Sequence, residues 1–191
     1  MKSAPAAKKI FDGLTEASTS AAGRALLAKT RELFGFAPNL AVAMSADPAA
    51  LEGYLQVLQA FGGTSLDPIE QQIVLMAVSR ANQADYSVAV HATLATKLGA
   101  AAALVKAAGT GATIEDPKYA ALRRFAEALT VGRGRVSDAE IEEFLAAGYE
   151  REAVVAVAFG VAVKTFANAI AHLARTPVDD AFAPALSRLR S

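Results

Sequence analysis

Apolar residues return every three or four positions along almost the whole 191-residue chain, and no stretch alternates apolar with polar residues between hairpin turns. A helix needs that period to bury one stripe of its surface. The chain is therefore expected to be all-α, with helices covering one another's apolar faces.

Local signals divide this pattern into segments. "AAGRALLAKTRELFG" predicts a helix stopped by Gly35, and "APNLAVAMS" a short one. In "DPAALEGYLQVLQAFGG", Asp47 is a natural N-cap, Pro48 fits the first helical position and glycines end the helix. Asp67 and Pro68 repeat the signal, with Glu70 favourably placed at the positive end of the dipole. A break at Asn82 and Gln83 precedes a helix over Asp85–Leu98, stopped by Gly99. The shorter "AAAALVKAAGTG", a loop "TGATIEDP" and the helical "KYAALRRFAEALTVGRG" follow. "SDAEIEEFLAAG" carries a capping box at Ser137 and Glu140. A long helix is expected from Arg151 to about Arg175, ended by Pro177, with an irregular tail "VDDAFAPALSRLRS".

Composition narrows the function classes. The 19 basic and 19 acidic residues cancel, so no long-range field gathers nucleic acid or an anionic membrane, and neither is expected as a partner. Hydrophobic residues make up 53% of the chain, with a large alanine excess, which suggests a homo-oligomer held by small-residue faces. The start "MKSAPAAKKIFDGL" reaches Asp12 and Gly13 before any signal-like apolar core, so a cytoplasmic location is expected. "AVVAVAFGVAV" stops at Lys164, short of the roughly twenty residues that span a bilayer, and reads as a buried helix. The chain has no cysteine, which removes disulfides, thiolate metal sites and cysteine redox chemistry together. Neither a metal nor a cofactor is expected, since two histidines and scattered carboxylates make no ligand spacing.

"SRANQADYSVAVHATLA", Ser79–Ala95, holds the polar pair on which the functional reading turns. At about 100° per residue, Ala84, Ser87 and His91 fall near 0°, 300° and 340° and share a helix face, while Asp85 and Tyr86 point elsewhere. His91 is either a core histidine with a satisfied hydrogen bond or a cavity-lining acid, base or donor. Ser87 is suited to bonding the carbonyl one turn back, or to donating to a ligand or to His91. Gln72, on the preceding helix, reaches this face if the two helices pack antiparallel. Tyr86 is expected to pack with its hydroxyl tethered, and Asn168 and His172 to form an interhelical hydrogen-bonding pair.

The span Asp67–Ala95, with "FGFAPNLAVAM" upstream and "TFANAIAHLARTPVD" downstream, resembles the carboxymuconolactone decarboxylase and AhpD-like alkylhydroperoxidase superfamily, nearest its peroxidase-related branch. That branch carries a glutamate, eleven residues, a Cys-x-x-Cys pair, three residues and a histidine, inside "AVSR-x-N-G-C-x-Y-C-x-x-x-H". "AVSRAN" matches the frame at Ala77–Asn82, and Tyr86 and His91 match its tyrosine and histidine. The first cysteine falls on Ala84, the second on Ser87 and the glutamate on Gln72. The resemblance implies an AhpD-like helical domain with antiparallel helices, assembling as a trimer or hexamer. One domain over 1–191 is expected, with a core at about 34–179 and peripheral segments at 1–20 and 180–191. Gln72, Ala84, Ser87 and His91 would be the vestigial positions of the family site.

In the peroxidase branch the second cysteine attacks peroxide, and the glutamate and histidine assist its deprotonation. Ser87 cannot take over that role, because an alkoxide forms far less readily than a thiolate and serine lacks a two-electron redox cycle. Gln72 can hydrogen-bond but cannot accept the proton. Three functions stay open: a family member that has lost thiol peroxidase chemistry but keeps a small-molecule pocket around His91, a cofactor-independent decarboxylase or lactone-processing enzyme using His91 as acid or base, and a non-catalytic oligomeric binding or scaffold protein. In each case dithiol-coupled consumption of alkyl hydroperoxide should not exceed that of a heat-inactivated control. Sustained turnover in a peroxide-depletion assay would overturn that expectation.

Overall fold

The computed structural model describes residues 11–191, and ten α-helices account for most of them: α1 (Ala21–Phe34), α2 (Asn39–Met44), α3 (Pro48–Gly62), α4 (Pro68–Ala81), α5 (Asp85–Lys97), α6 (Ala102–Thr110), α7 (Pro117–Val131), α8 (Asp138–Ala146), α9 (Arg151–Leu173) and α10 (Ala183–Arg190). No strand occurs among the described residues. The expectation read from residues 1–10 lies outside them.

The helix starts follow from side chains that satisfy backbone N–H groups. Asp47 accepts from Ala49 and Ala50, and Asp67 from Ile69 and Glu70, while Glu70 reaches back to the Asp67 N–H at 2.9 Å. Ser137 and Glu140 form the second reciprocal box. Asp116 provides a further cap, with Pro117 at the head of α7. Between α4 and α5, Gln83 takes φ 55°, reversing the chain so that the two helices pack on each other.

The middle helix, α4, is buried from Ile73 to Ser79 without interruption and is enclosed by α5, α7 and α9. An apolar surface around the whole circumference demands cover on every side. The polar residues it buries are accounted for locally: Ser79 donates to the Leu75 carbonyl at 2.6 Å, and Gln71 donates to the Gly62 and Leu66 carbonyls. Phe61, Val74, Leu122, Phe125 and Val157 join α3, α4, α7 and α9 in the main core.

By length and composition α9 could cross a membrane. Its stripe of Ala153, Val157, Gly160, Val163, Ala167 and Ala171 is nevertheless buried in the fold. At Gly160 its backbone approaches α3 and α4 closely. A Cβ there would stand 2.8 Å from Val74 Cγ1 and 2.9 Å from Phe61 Cε2.

The C-terminal segment corrects the expected irregular tail. Residues 183–190 form α10, which packs on α5 and α6. Phe182, 2% exposed, anchors it against the rings of Phe34, Phe36 and Tyr86. Arg190 then pairs with Asp85 at 2.6 Å. At the other end Thr19 is buried and donates to the Ser45 carbonyl at 3.0 Å, so part of 1–20 is also tied in.

The tight crossing predicts that Gly160→Ala destabilises the protein by about 1–2 kcal/mol, overpacking outweighing the better helix propensity of alanine. Gly53→Ala, on α3 where a Cβ meets nothing within 4 Å, should be neutral or stabilising. Thermal unfolding of the two variants beside the parent checks both signs.

Candidate active site

A cavity of about 240 Å³ opens among α1–α5, α9 and Phe182. Its walls are chiefly leucine, phenylalanine and tyrosine side chains, and the chemistry concentrates in Gln72 on α4, His91 on α5 and Lys164 on α9. No carboxylate lines it among the described residues.

Most of the other polar groups in the wall are already engaged. Thr30 donates to the Leu27 carbonyl at 2.8 Å. The Tyr86 hydroxyl donates to Asp179 Oδ2 at 2.7 Å and accepts from the Leu40 N–H at 3.3 Å. Asp179 in turn accepts from the Asn39 N–H at 3.0 Å, so it caps α2 through space, where the Pro38 side chain cannot. This tether is the one expected of Tyr86. Burial, then Asp179, raises the Tyr86 pKa, and burial pushes Tyr54 up to about 12, so both phenols stay neutral.

His91 is 4% exposed, and its Nδ1 lies 2.9 Å from Gln72 Oε1. With the amide oxygen facing the ring, Nδ1–H donates and the lone pair stays on Nε2, which has no protein partner. Burial holds the His91 pKa well below its usual range, and the charge of Lys164 lowers it further. A carboxylate at position 72 would hold the imidazolium, but an amide carries no charge to do so. His91 is therefore a neutral imidazole at physiological pH.

Lys164 is the functional candidate that sequence reasoning missed, because along the chain it marks only the end of an uncharged run. It is 2% exposed, and burial alone lowers its pKa from 10.5 to about 7. It forms no ion pair among the described residues, for Glu70 is engaged with Lys118 at 3.1 Å and Asp179 with Tyr86 and Asn39. The signal was present in the spacing: Lys164 follows Val157 by seven residues and Gly160 by four, which puts a lysine on the buried stripe of α9.

The four positions marked by the sequence are only partly brought together. Gln72 and His91 meet across α4 and α5, and both line the cavity. Ser87 is wholly buried but outside the lining, and its hydroxyl makes neither the back-bond one turn up nor a bond to His91. Ala84 is the N-cap of α5, with φ −101° and ψ 78°, so a helical wheel does not describe it. It borders a different cleft with Arg80, Asp85, Leu186 and Arg190. His172 bonds the Asn82 carbonyl at 2.8 Å at the end of α4, rather than Asn168, whose buried amide has no partner. No group of three His, Asp or Glu side chains is gathered as metal ligands among the described residues.

The carboxymuconolactone decarboxylase family profile matches residues 48–128, a span that holds α3 to α5 and with them Gln72 and His91. No curated protein sequence is significantly similar to the chain. Among solved structures, it is similar to an AhpD-core, peroxidase-related protein of Ralstonia eutropha JMP134, at 20% identity and TM-score 0.78 over 88% of this chain and 90% of that one. A peroxidase-related protein of Silicibacter sp. TM1040 superposes with TM-score 0.77 at 16% identity, over 89% and 92% of the two chains. The debrominase Bmp8, as a cysteine-to-alanine variant in complex with 2,3,4-tribromopyrrole, does so with TM-score 0.74 at 18% identity, over 86% and 89%.

An uncompensated buried amine should weaken the fold wherever it is protonated. The folded pKa of Lys164 lies near 7, below its ordinary 10.5. Between those values the unfolded chain binds the extra proton, so stability rises as pH climbs from about 7 towards 10.5. Lys164→Met, of similar shape and uncharged, should stabilise the protein by on the order of a few kcal/mol at pH 7 or below. Denaturant titrations of both forms across this range should show the gap narrowing toward pH 10.5, and a gap independent of pH would rule out the buried charge as its cause.

Proposed function

For a chain whose residues 48–128 match the carboxymuconolactone decarboxylase family profile, with an AhpD-like helical fold and no cysteine, we propose membership of that superfamily and a thiol-independent enzyme that binds a small, mainly apolar carbonyl compound in the α1–α5/α9 cavity and moves a proton with His91. The observation that carries this reading is the pairing of His91 with Gln72. The amide fixes the ring's tautomer through Nδ1–H and leaves the lone pair on a buried Nε2 without a protein partner, on a ring that lines the apolar cavity. A neutral imidazole is available to accept a proton near neutral pH, whereas an imidazolium held by a carboxylate is not.

The cavity supports a ligand site over a purely structural scaffold, since a scaffold needs no open space between its helices. Its apolar walls fit a compact hydrophobic body, and the Gln72, His91 and Lys164 end fits a carbonyl or carboxyl group. The complex of Bmp8 with a small brominated aromatic adds weight to this size class. The cavity lies within one subunit, and assembly is a separate part of the proposal: a homo-oligomeric trimer or hexamer, supported by the exposed Val131, Val155 and Leu173.

Phenylacetone is a suitable probe, because removal of a proton beside its carbonyl is read directly as exchange in D₂O by proton NMR. The protein should accelerate exchange over buffer, and His91→Gln should reduce the accelerated rate at least tenfold. Leu55→Trp, which adds bulk to the cavity wall, should reduce it as well. Acceleration that survives both substitutions, or none in the parent protein, would sink the reading. Light scattering on the same sample should give a trimer or hexamer, and a monomer would remove that part.

A further inference from the structure

Lys164 is not explained by the architecture that surrounds it. A lysine kept for stability is paired with a carboxylate or extends its ammonium into solvent, whereas this one is 2% exposed and has no carboxylate partner among the described residues. The groups facing the cavity beside it are His91 and Tyr86 on α5, Gln72 on α4 and Tyr54 on α3, all neutral near pH 7. The amine therefore sits without a counter-charge at the end of the cavity where the polar groups converge. A methionine would fill the same volume without the cost of desolvating a charge.

We propose that Lys164 is a covalent nucleophile, which captures a small apolar aldehyde or ketone in this cavity as an imine. This rests on the reading of the cavity as a carbonyl-binding site and names the bond made there. In the step, the unprotonated Nζ donates its electron pair to the carbonyl carbon, and the carbonyl oxygen takes up a proton to give a carbinolamine. Nitrogen gives up two protons in all, balancing the one taken by the carbonyl oxygen and the one with which the hydroxyl departs as water, and a C=N bond replaces C=O. One amine and one carbonyl compound become one imine and one water, with nothing oxidised or reduced. His91 carries the proton between nitrogen and the departing oxygen. Protonated, the imine draws electron density from the neighbouring carbon more strongly than the parent carbonyl does, which suits loss of a proton from that carbon. Since burial brings the ordinary pKa of 10.5 down to about 7, a large fraction of the amine is unprotonated at physiological pH, unlike that of an exposed lysine.

Reductive trapping tests the bond. The full-length protein is incubated briefly at pH 7.5 with benzaldehyde and sodium cyanoborohydride, then analysed by intact mass and peptide mapping. One benzyl group should appear, on Lys164, at least tenfold faster than on Lys97 or Lys118. Lys164→Met and Lys164→Arg should lose that adduct, and Lys164→Met, expected to be the more stable form, excludes misfolding as the cause. His91→Gln should slow the adduct without moving it. The rate should rise through pH 7 and level off above it. No adduct, or one spread evenly over the surface lysines, overturns the proposal. If phenylacetone exchange still depends on His91 while Lys164 remains unlabelled, the imine fails and the proton-transfer reading stands. If Lys164 is labelled but exchange ignores His91, the reverse holds.

Discussion

The close crossing of α9 over α3 and α4 sets the rest of the molecule. Gly160 lets the α9 backbone approach until a single Cβ would strike Val74 and Phe61. That approach encloses α4, which is apolar around most of its surface and can be stable only when surrounded. With α9 on one side and α7 on another, the turn at Gln83 folds α5 back onto α4 and brings His91 beside Gln72. The buried hydrogen bond between α4 and α5 thus shares α4 with the close contact that Gly160 of α9 makes to Val74 and Phe61.

The same arrangement governs the charge of the cavity. Gln72 supplies a hydrogen bond but no charge, and among the described residues Lys164 supplies the one amine in the wall. The buried carboxylates that could have neutralised it hold other parts of the fold: Glu70 closes the head of α4, and Asp179 ties α2 to Tyr86. Both His91 and Lys164 are pushed toward their neutral forms by the same burial. The result is a mainly apolar space that, among the described residues, is lined by His91 and Lys164 and by no carboxylate, a distribution different from that of a thiol site served by a carboxylate.

Helix boundaries were largely legible because they are written in local chemistry. Asp47, Asp67 and Ser137 cap backbone N–H groups within three residues of themselves, and nothing distant is needed to recognise them. The C-terminal helix was not legible, since its stability comes from Phe182 among three aromatic rings and from Leu189 beside Gly109, contacts to residues far away in sequence. Ser87 illustrates a related limit: its position on the helix was correct, yet which neighbours it meets depends on how α5 lies against the other helices.

By itself the sequence determined that the chain is all-helical, where most helices begin, and that no thiol chemistry is possible. These follow from periodicity, capping and residue type, which are properties of neighbours in the chain. Only the tertiary structure decided that Gln72 and His91 meet, that Ala84 and Ser87 lie outside the cavity, and that Lys164 joins the first two within it. Burial, pairing and the pKa shifts they cause depend on which helices approach which, and that is fixed by packing between residues tens of positions apart.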